Sequence, residues 1–159
     1  MDGYSLKGTF VGLRLEYWSI APQEYRATCT VLLQMRESMD PRLWDLLFMR
    51  ISQINGCAFC VDSHAAQALE AGESTRRLNA LALWRHTPFF SDAERAALAW
   101  AEKVTRLGDH GPSDAAFQSL RPHFSDKQLV TLTLAISLIN ALTRLAIAFG
   151  RTPALEQDS

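Results

Sequence analysis

Arg50-Ile51-Ser52-Gln53-Ile54-Asn55-Gly56-Cys57-Ala58-Phe59-Cys60-Val61-Asp62-Ser63-His64 holds a chain break and a chemistry side by side. Upstream, Asp40-Pro41 supplies a capping carboxylate and a proline for the first helical position, so a helix is expected from there to about Ile54. Asn55-Gly56 suits positive φ and stops it. A second helix is expected to begin around Cys57 and to end before Gly72. At about 100° per residue, Cys57 lies at 0°, Cys60 near 300° and His64 near 340°, so all three share one face. Asp62, near 140°, points to solvent.

The same signals recur outward along the chain. A helix is expected from Pro22 to Ser38, with proline in its first turn. Another covers roughly Thr75 to Arg85 and is followed by Pro88. Ser91-Asp92-Ala93-Glu94 is a capping box opening a helix that ends near Gly108. Ser113 caps a short helix from Asp114 to Leu120. Ser125-Asp126-Lys127-Gln128 is a second capping box, and it opens the longest helix, to Phe149, closed by Gly150 and Pro153. No segment alternates with period two, so the expected fold is all-α, a bundle of about six to eight helices. Residues 1–21 form an N-terminal arm whose Tyr17, Trp18 and Ile20 can dock on the core. Residues 22–150 form the domain, and 151–159 a polar tail, frayed from Thr152.

There is also an internal echo. Ile51-Ser52-Gln53-Ile54-Asn55 matches Ile136-Ser137-Leu138-Ile139-Asn140 at an offset of 85, and the same offset places the cap Asp40 on the cap Ser125. A duplicated pseudo-symmetric bundle and a coincidence between apolar helices both account for it. In the second copy Leu142 and Leu145 replace the two cysteines.

Composition narrows the function. The 159 residues are 48% hydrophobic and 21% charged, with a formal net charge of −1, so no basic excess exists to neutralise phosphates or to seek an anionic membrane. The N-terminus lacks a basic region followed by an apolar stretch, and the apolar run Leu129 to Leu142 is short for a membrane span. A cytoplasmic protein with no nucleic-acid or membrane partner is expected. In a reducing compartment, a C-x-x-C pair points to redox or metal chemistry rather than to a disulfide scaffold.

Three effects favour thiol chemistry at Cys57, Cys60 and His64. Unpaired amides and the dipole of the first helical turn stabilise a thiolate. Cys60 and His64 are i and i+4 neighbours, within reach for proton exchange. Two cysteines one turn apart can close a disulfide with little backbone movement. The dipole favours Cys57 as the attacking sulfur and the histidine favours Cys60, so these effects leave the choice open. A zinc site would lack a fourth ligand, and a c-type haem site needs histidine where Val61 stands. Cys29 reads as a small buried hydrophobe, and His110 as a surface residue. Trp84, Trp100, Phe89 and Phe90 read as core, and Glu94 as a capping residue. Spacing alone leaves Asp45 equally placed to face solvent or to turn toward the thiols.

The quoted stretch resembles the core of the AhpD-like alkylhydroperoxidases, within the carboxymuconolactone decarboxylase superfamily. The resemblance extends through Trp84-Arg85-His86-Thr87-Pro88-Phe89-Phe90-Ser91, Glu94 and Trp100-Ala101-Glu102 to Phe124-Ser125 and Leu132-Thr133-Leu134-Ala135-Ile136. It spans about Pro22 to Phe149. It implies an all-helical fold with a pseudo-repeat, and a homo-oligomer, commonly a trimer or hexamer. The implied reaction is peroxide reduction at the expense of a dithiol reductant, protein or small molecule, with no metal or organic cofactor. In it Cys60 attacks, Cys57 resolves, and Asp45 and His64 form a proton relay through water. Two positions depart from the family pattern: Asp45 stands where glutamate is usual, and Phe59 stands where the best-characterised peroxidases have a histidine. The rival readings are a lactone decarboxylase or related lyase, which generally works without this cysteine pair, and a non-catalytic redox-sensing oligomer.

Overall fold

The computed structural model describes residues 12–154. The expected tail lies largely outside them, as do residues 1–11 of the arm. Eight α-helices and one 3-10 segment occur among the described residues, with no strand. The helices are α1 (Tyr17–Ile20), α2 (Pro22–Arg36), α3 (Pro41–Asn55), α4 (Ala58–Glu70), α5 (Thr75–Ala80), α6 (Asp92–Arg106), α7 (Asp114–Gln118) and α8 (Asp126–Ala148). The 3-10 segment, Leu81–His86, follows α5. The chain is therefore all-α, as the sequence pattern implies.

Local chemistry sets most of the ends. The Asp40 carboxylate accepts from the amides of Arg42 (2.8 Å) and Leu43 (3.2 Å), with Pro41 in the first turn. Gly56 closes α3 at φ 71°, a conformation that carries little cost only for glycine. Both capping boxes form: Ser91 with Glu94 on α6, and Ser125 with Gln128 on α8. The expected single helix from Thr75 to Arg85 divides instead. Its second half tightens to 3-10, with Leu83 outside helical geometry. Tertiary anchoring overrides local propensity there, because the Trp84 indole N–H donates to Glu102 Oε1 at 2.9 Å and Arg85 reaches Glu102 Oε2 at 2.7 Å.

The core forms around α3, which packs against α4, α6 and α8. Leu46, Ile51, Leu98, Leu132 and Ile136 are fully buried at these contacts. The repeat is visible in the bonding. The two equivalent asparagines meet, Asn55 Nδ2 donating to Asn140 Oδ1 at 2.8 Å. The two equivalent serines each donate to the carbonyl four residues back, Ser52 to Phe48 and Ser137 to Thr133. What α8 builds as one continuous helix, the first copy splits at Gly56 into α3 and α4, and the split creates a helix start for the cysteines.

The arm docks by Tyr17, buried against Tyr25 and Phe149, whereas Ile20 stays 64% exposed. Helix α8 is long and apolar enough to cross a membrane by length and composition. It lies instead against α2, α3, α4 and α6, with the polar side chains of Asn140 and Thr143 hydrogen-bonded inside the core.

Candidate active site

Cys57 is the N-cap of α4 rather than a residue of its first turn, at φ −88° and ψ 94°. Its Sγ accepts the amide hydrogen of Cys60 at 3.3 Å, the role a serine hydroxyl plays in other caps. The cap brings the sulfurs together, and the two cysteines are joined as a disulfide with their Cα atoms 5.3 Å apart. The shared helical stripe of the sequence reading thus holds for Cys60 and His64, while Cys57 reaches Cys60 through the cap. The two sulfurs differ in access. Both residues are buried against Phe59 and Ala146. Of the two, Cys60 borders a cavity of about 300 Å3 and Cys57, 2% exposed, does not.

His64 borders the same cavity, one turn along α4 from Cys60. Its ring packs edge-on to Phe48, centroids 5.3 Å apart. Burial pushes its pKa down from 6.5 to about 4; a Gln67 contact opposes the shift and the positive charge of Arg36 adds to it. In this disulfide form the imidazole is therefore neutral at neutral pH and a weak base. Its Nδ1 is buried with no hydrogen-bond partner among the described residues.

Asp45 is not on the solvated face. It is 1% exposed on α3, and its Oδ2 accepts from Arg36 at 3.2 Å. Burial raises its pKa, and the Arg36 charge and hydrogen bond oppose that rise. Asp45 is not among the residues bordering the cavity, and no direct hydrogen bond joins it to His64 among the described residues. Arg36 is the group that faces both: it pairs with Asp45 and borders the cavity beside His64.

Asp62 and His110 are exposed, Glu94 makes its capping box and pairs with Arg77, and Trp84 and Phe90 are buried in the core. Cys29 is half-buried and borders the cavity rather than filling the core. Sequence reasoning missed Arg36, Tyr25, Trp44 and Arg151, which also border it. A signal existed for α2: Tyr25, Cys29, Leu32 and Arg36 fall at i, i+4, i+7 and i+11, a helical stripe ending in a cation. Arg151 stands beyond the end of the last helix and gave none.

A model of the carboxymuconolactone decarboxylase family matches residues 21–103. The uncharacterised protein YdfG of Bacillus subtilis is 34% identical over 89% of this chain and 97% of its own length. A crystal structure from Agrobacterium tumefaciens, of a protein of unknown function linked by its description to antioxidant defence and AhpD, is 36% identical. It covers 91% of this chain and 99% of its own, with a TM-score of 0.86. The fold alone is shared with the debrominase Bmp8, solved with 2,3,4-tribromopyrrole: 19% identity, 82% of this chain, 71% of that one, TM-score 0.73. With the capped C-x-x-C pair, the all-helical bundle and the Asn55–Asn140 repeat contact already in place, these matches put the chain in the carboxymuconolactone decarboxylase family, among its AhpD-like members.

Proposed function

We propose that the protein is a cytoplasmic thiol-dependent peroxide reductase in which Cys60 attacks and Cys57 resolves. The observation that carries this reading is the asymmetry of the pair: Cys60 borders the cavity that His64 also borders, and Cys57 is buried and does not border it. The depressed His64 pKa belongs to the disulfide form; in the reduced enzyme a Cys60 thiolate forming one helical turn away offsets the burial of the imidazolium, and His64 takes the Cys60 thiol proton. The thiolate attacks the distal oxygen of a hydroperoxide; the S–O bond forms, the O–O bond breaks, and the departing alkoxide collects that proton as an alcohol. The Cys57 thiol then attacks the sulfenic sulfur, the S–S bond forms and water leaves. A dithiol reductant reopens the disulfide by exchange, gives up two electrons and leaves as its own disulfide. Asp45 is a positioning residue in this scheme, holding Arg36 next to the base. No metal or organic cofactor enters the cycle.

The test is stoichiometry and trapping. Reduced protein is expected to consume one equivalent of hydroperoxide without added reductant, forming one Cys57–Cys60 disulfide, and brief exposure with a sulfenic-acid trap should label Cys60 by mass spectrometry. No consumption, or a label on Cys57 alone, rejects the scheme. A lyase would turn over with both cysteines replaced.

Assembly into a homo-oligomer, a trimer or a multiple of it, belongs to the same proposal. Val130, Leu134, Ser137, Ala141, Leu145 and Ala148 form a mostly apolar outward stripe of α8 at helical spacing, all exposed in the single chain, with Arg144 exposed on the same face. A helix apolar on its outer face needs a second surface to cover it. Leu134→Glu is expected to lower the mass in sedimentation equilibrium to that of one chain. A wild-type protein that already sediments as one chain overturns this part.

A further inference from the structure

The cavity at Cys60 has a direction. Tyr25, Cys29, Leu32 and Arg36 line it from one stripe of α2. Eleven residues at 1.5 Å each make that stripe about 16 Å long. The cavity follows the helix, with Tyr25 near one end and Arg36 near the other. Between them the walls are apolar, including Trp44, Phe48, Ile139 and Leu142.

A guanidinium marks each end, and the two are not equivalent. Arg36 is matched by Asp45. Arg151 has no carboxylate within ion-pair distance among the described residues. It is held in place nonetheless. Its amide donates to the Ala146 carbonyl at 2.9 Å and the Gly150 amide to Ile147 at 3.1 Å, a Schellman closure of α8. Its guanidinium lies 3.7 Å from the Phe59 ring centroid and 4.3 Å from that of Trp18, and it donates to the Tyr17 hydroxyl at 3.3 Å. A guanidinium stacked on rings keeps its in-plane donors available, in the fork that matches a carboxylate.

We infer that the cavity binds amphipathic carboxylates, with the anionic group on Arg151 and the apolar body along α2, and that the hydroperoxide reduced at Cys60 belongs to this class. The substrate assignment rests on the peroxide-reductase reading; the binding site does not. Isothermal titration of the disulfide form with octanoate and with octan-1-ol measures binding without peroxide chemistry. Octanoate should bind at least about tenfold more tightly than the alcohol. Arg151→Met should bring the ratio close to one, and Arg151→Lys should retain part of it. In the wild type, raising the salt concentration should shrink the ratio, which tests the charge even if the methionine variant fails to fold. Equal affinity for acid and alcohol, no binding of either, or a ratio that survives in Arg151→Met overturns the inference. With reduced protein, a fatty-acid hydroperoxide should be consumed faster than its methyl ester; equal rates overturn the substrate assignment alone.

Discussion

Cys60→Ser is expected to lower peroxide consumption by the reduced protein by on the order of a thousandfold or more, because it removes the attacking nucleophile. Cys57→Ser should leave the first turnover within about fivefold of wild type, since the attacking step does not use the resolving thiol. It should then stop after one equivalent, with Cys60 accumulating as sulfenic acid and, under excess peroxide, as sulfinic acid. Both variants belong in a Cys29→Ser background, because Cys29 borders the same cavity and is a third thiol. Stopped-flow consumption of hydroperoxide, followed by intact-mass analysis, separates the two. The oxidised protein offers a separate check: in the disulfide form the buried imidazole has its pKa pushed down to about 4, so an NMR titration of His64 in that form should show no transition near 6.5. Equal single-turnover losses in the two cysteine variants would contradict the asymmetry on which the assignment is built.

What the sequence displayed well was whatever is decided within one turn of chain. Asp40-Pro41, Ser91 with Glu94 and Ser125 with Gln128 each place a cap oxygen beside the amides it satisfies, so these helix starts agree with the structure to within a residue. Cys60 and His64 share a helix, and their spacing alone puts them on one face. Cys57 was misjudged by one residue, but that residue changes its role: as N-cap it accepts a backbone amide instead of lying in the first turn. What stayed hidden was contact between distant segments. Arg36 meets Asp45 across the turn between α2 and α3, and Arg151 meets Tyr17 across 134 positions. No periodicity records such pairings. Phe59 illustrates the difference. In the sequence it is a lost proton carrier; in the fold it is the ring on which Arg151 stacks.

Glu102→Gln is expected to cost more stability than any other single change outside the apolar core. Glu102 is the tie between three elements. On α6, it accepts from Arg50 of α3 at 2.8 Å, from the Trp84 indole at 2.9 Å and from Arg85 at 2.7 Å. Arg106 also approaches at 3.5 Å, but its side chain is 58% exposed and adds little. Burial on its own would raise the carboxyl pKa. The hydrogen bonds from Trp84, Arg85 and Arg50, with the Arg50 charge, outweigh it and hold the value at about 2, against an ordinary 4.5. A pKa depressed on folding contributes stability that is present above the unfolded value and is lost as pH falls through the folded one. Here that window runs from about 4.5 down to about 2. Glutamine keeps an acceptor for the indole but leaves the Arg50 side chain, only 12% exposed, without its counter-charge. Breaking a buried pair from one side typically costs about 3–5 kcal/mol. Urea unfolding at pH 7 should show a loss of that order. The deficit should shrink as the pH is lowered toward 2, where about half of the wild-type carboxyl is itself protonated. A deficit independent of pH would mean that the carboxylate charge is not what binds α3, α6 and the 3-10 segment together.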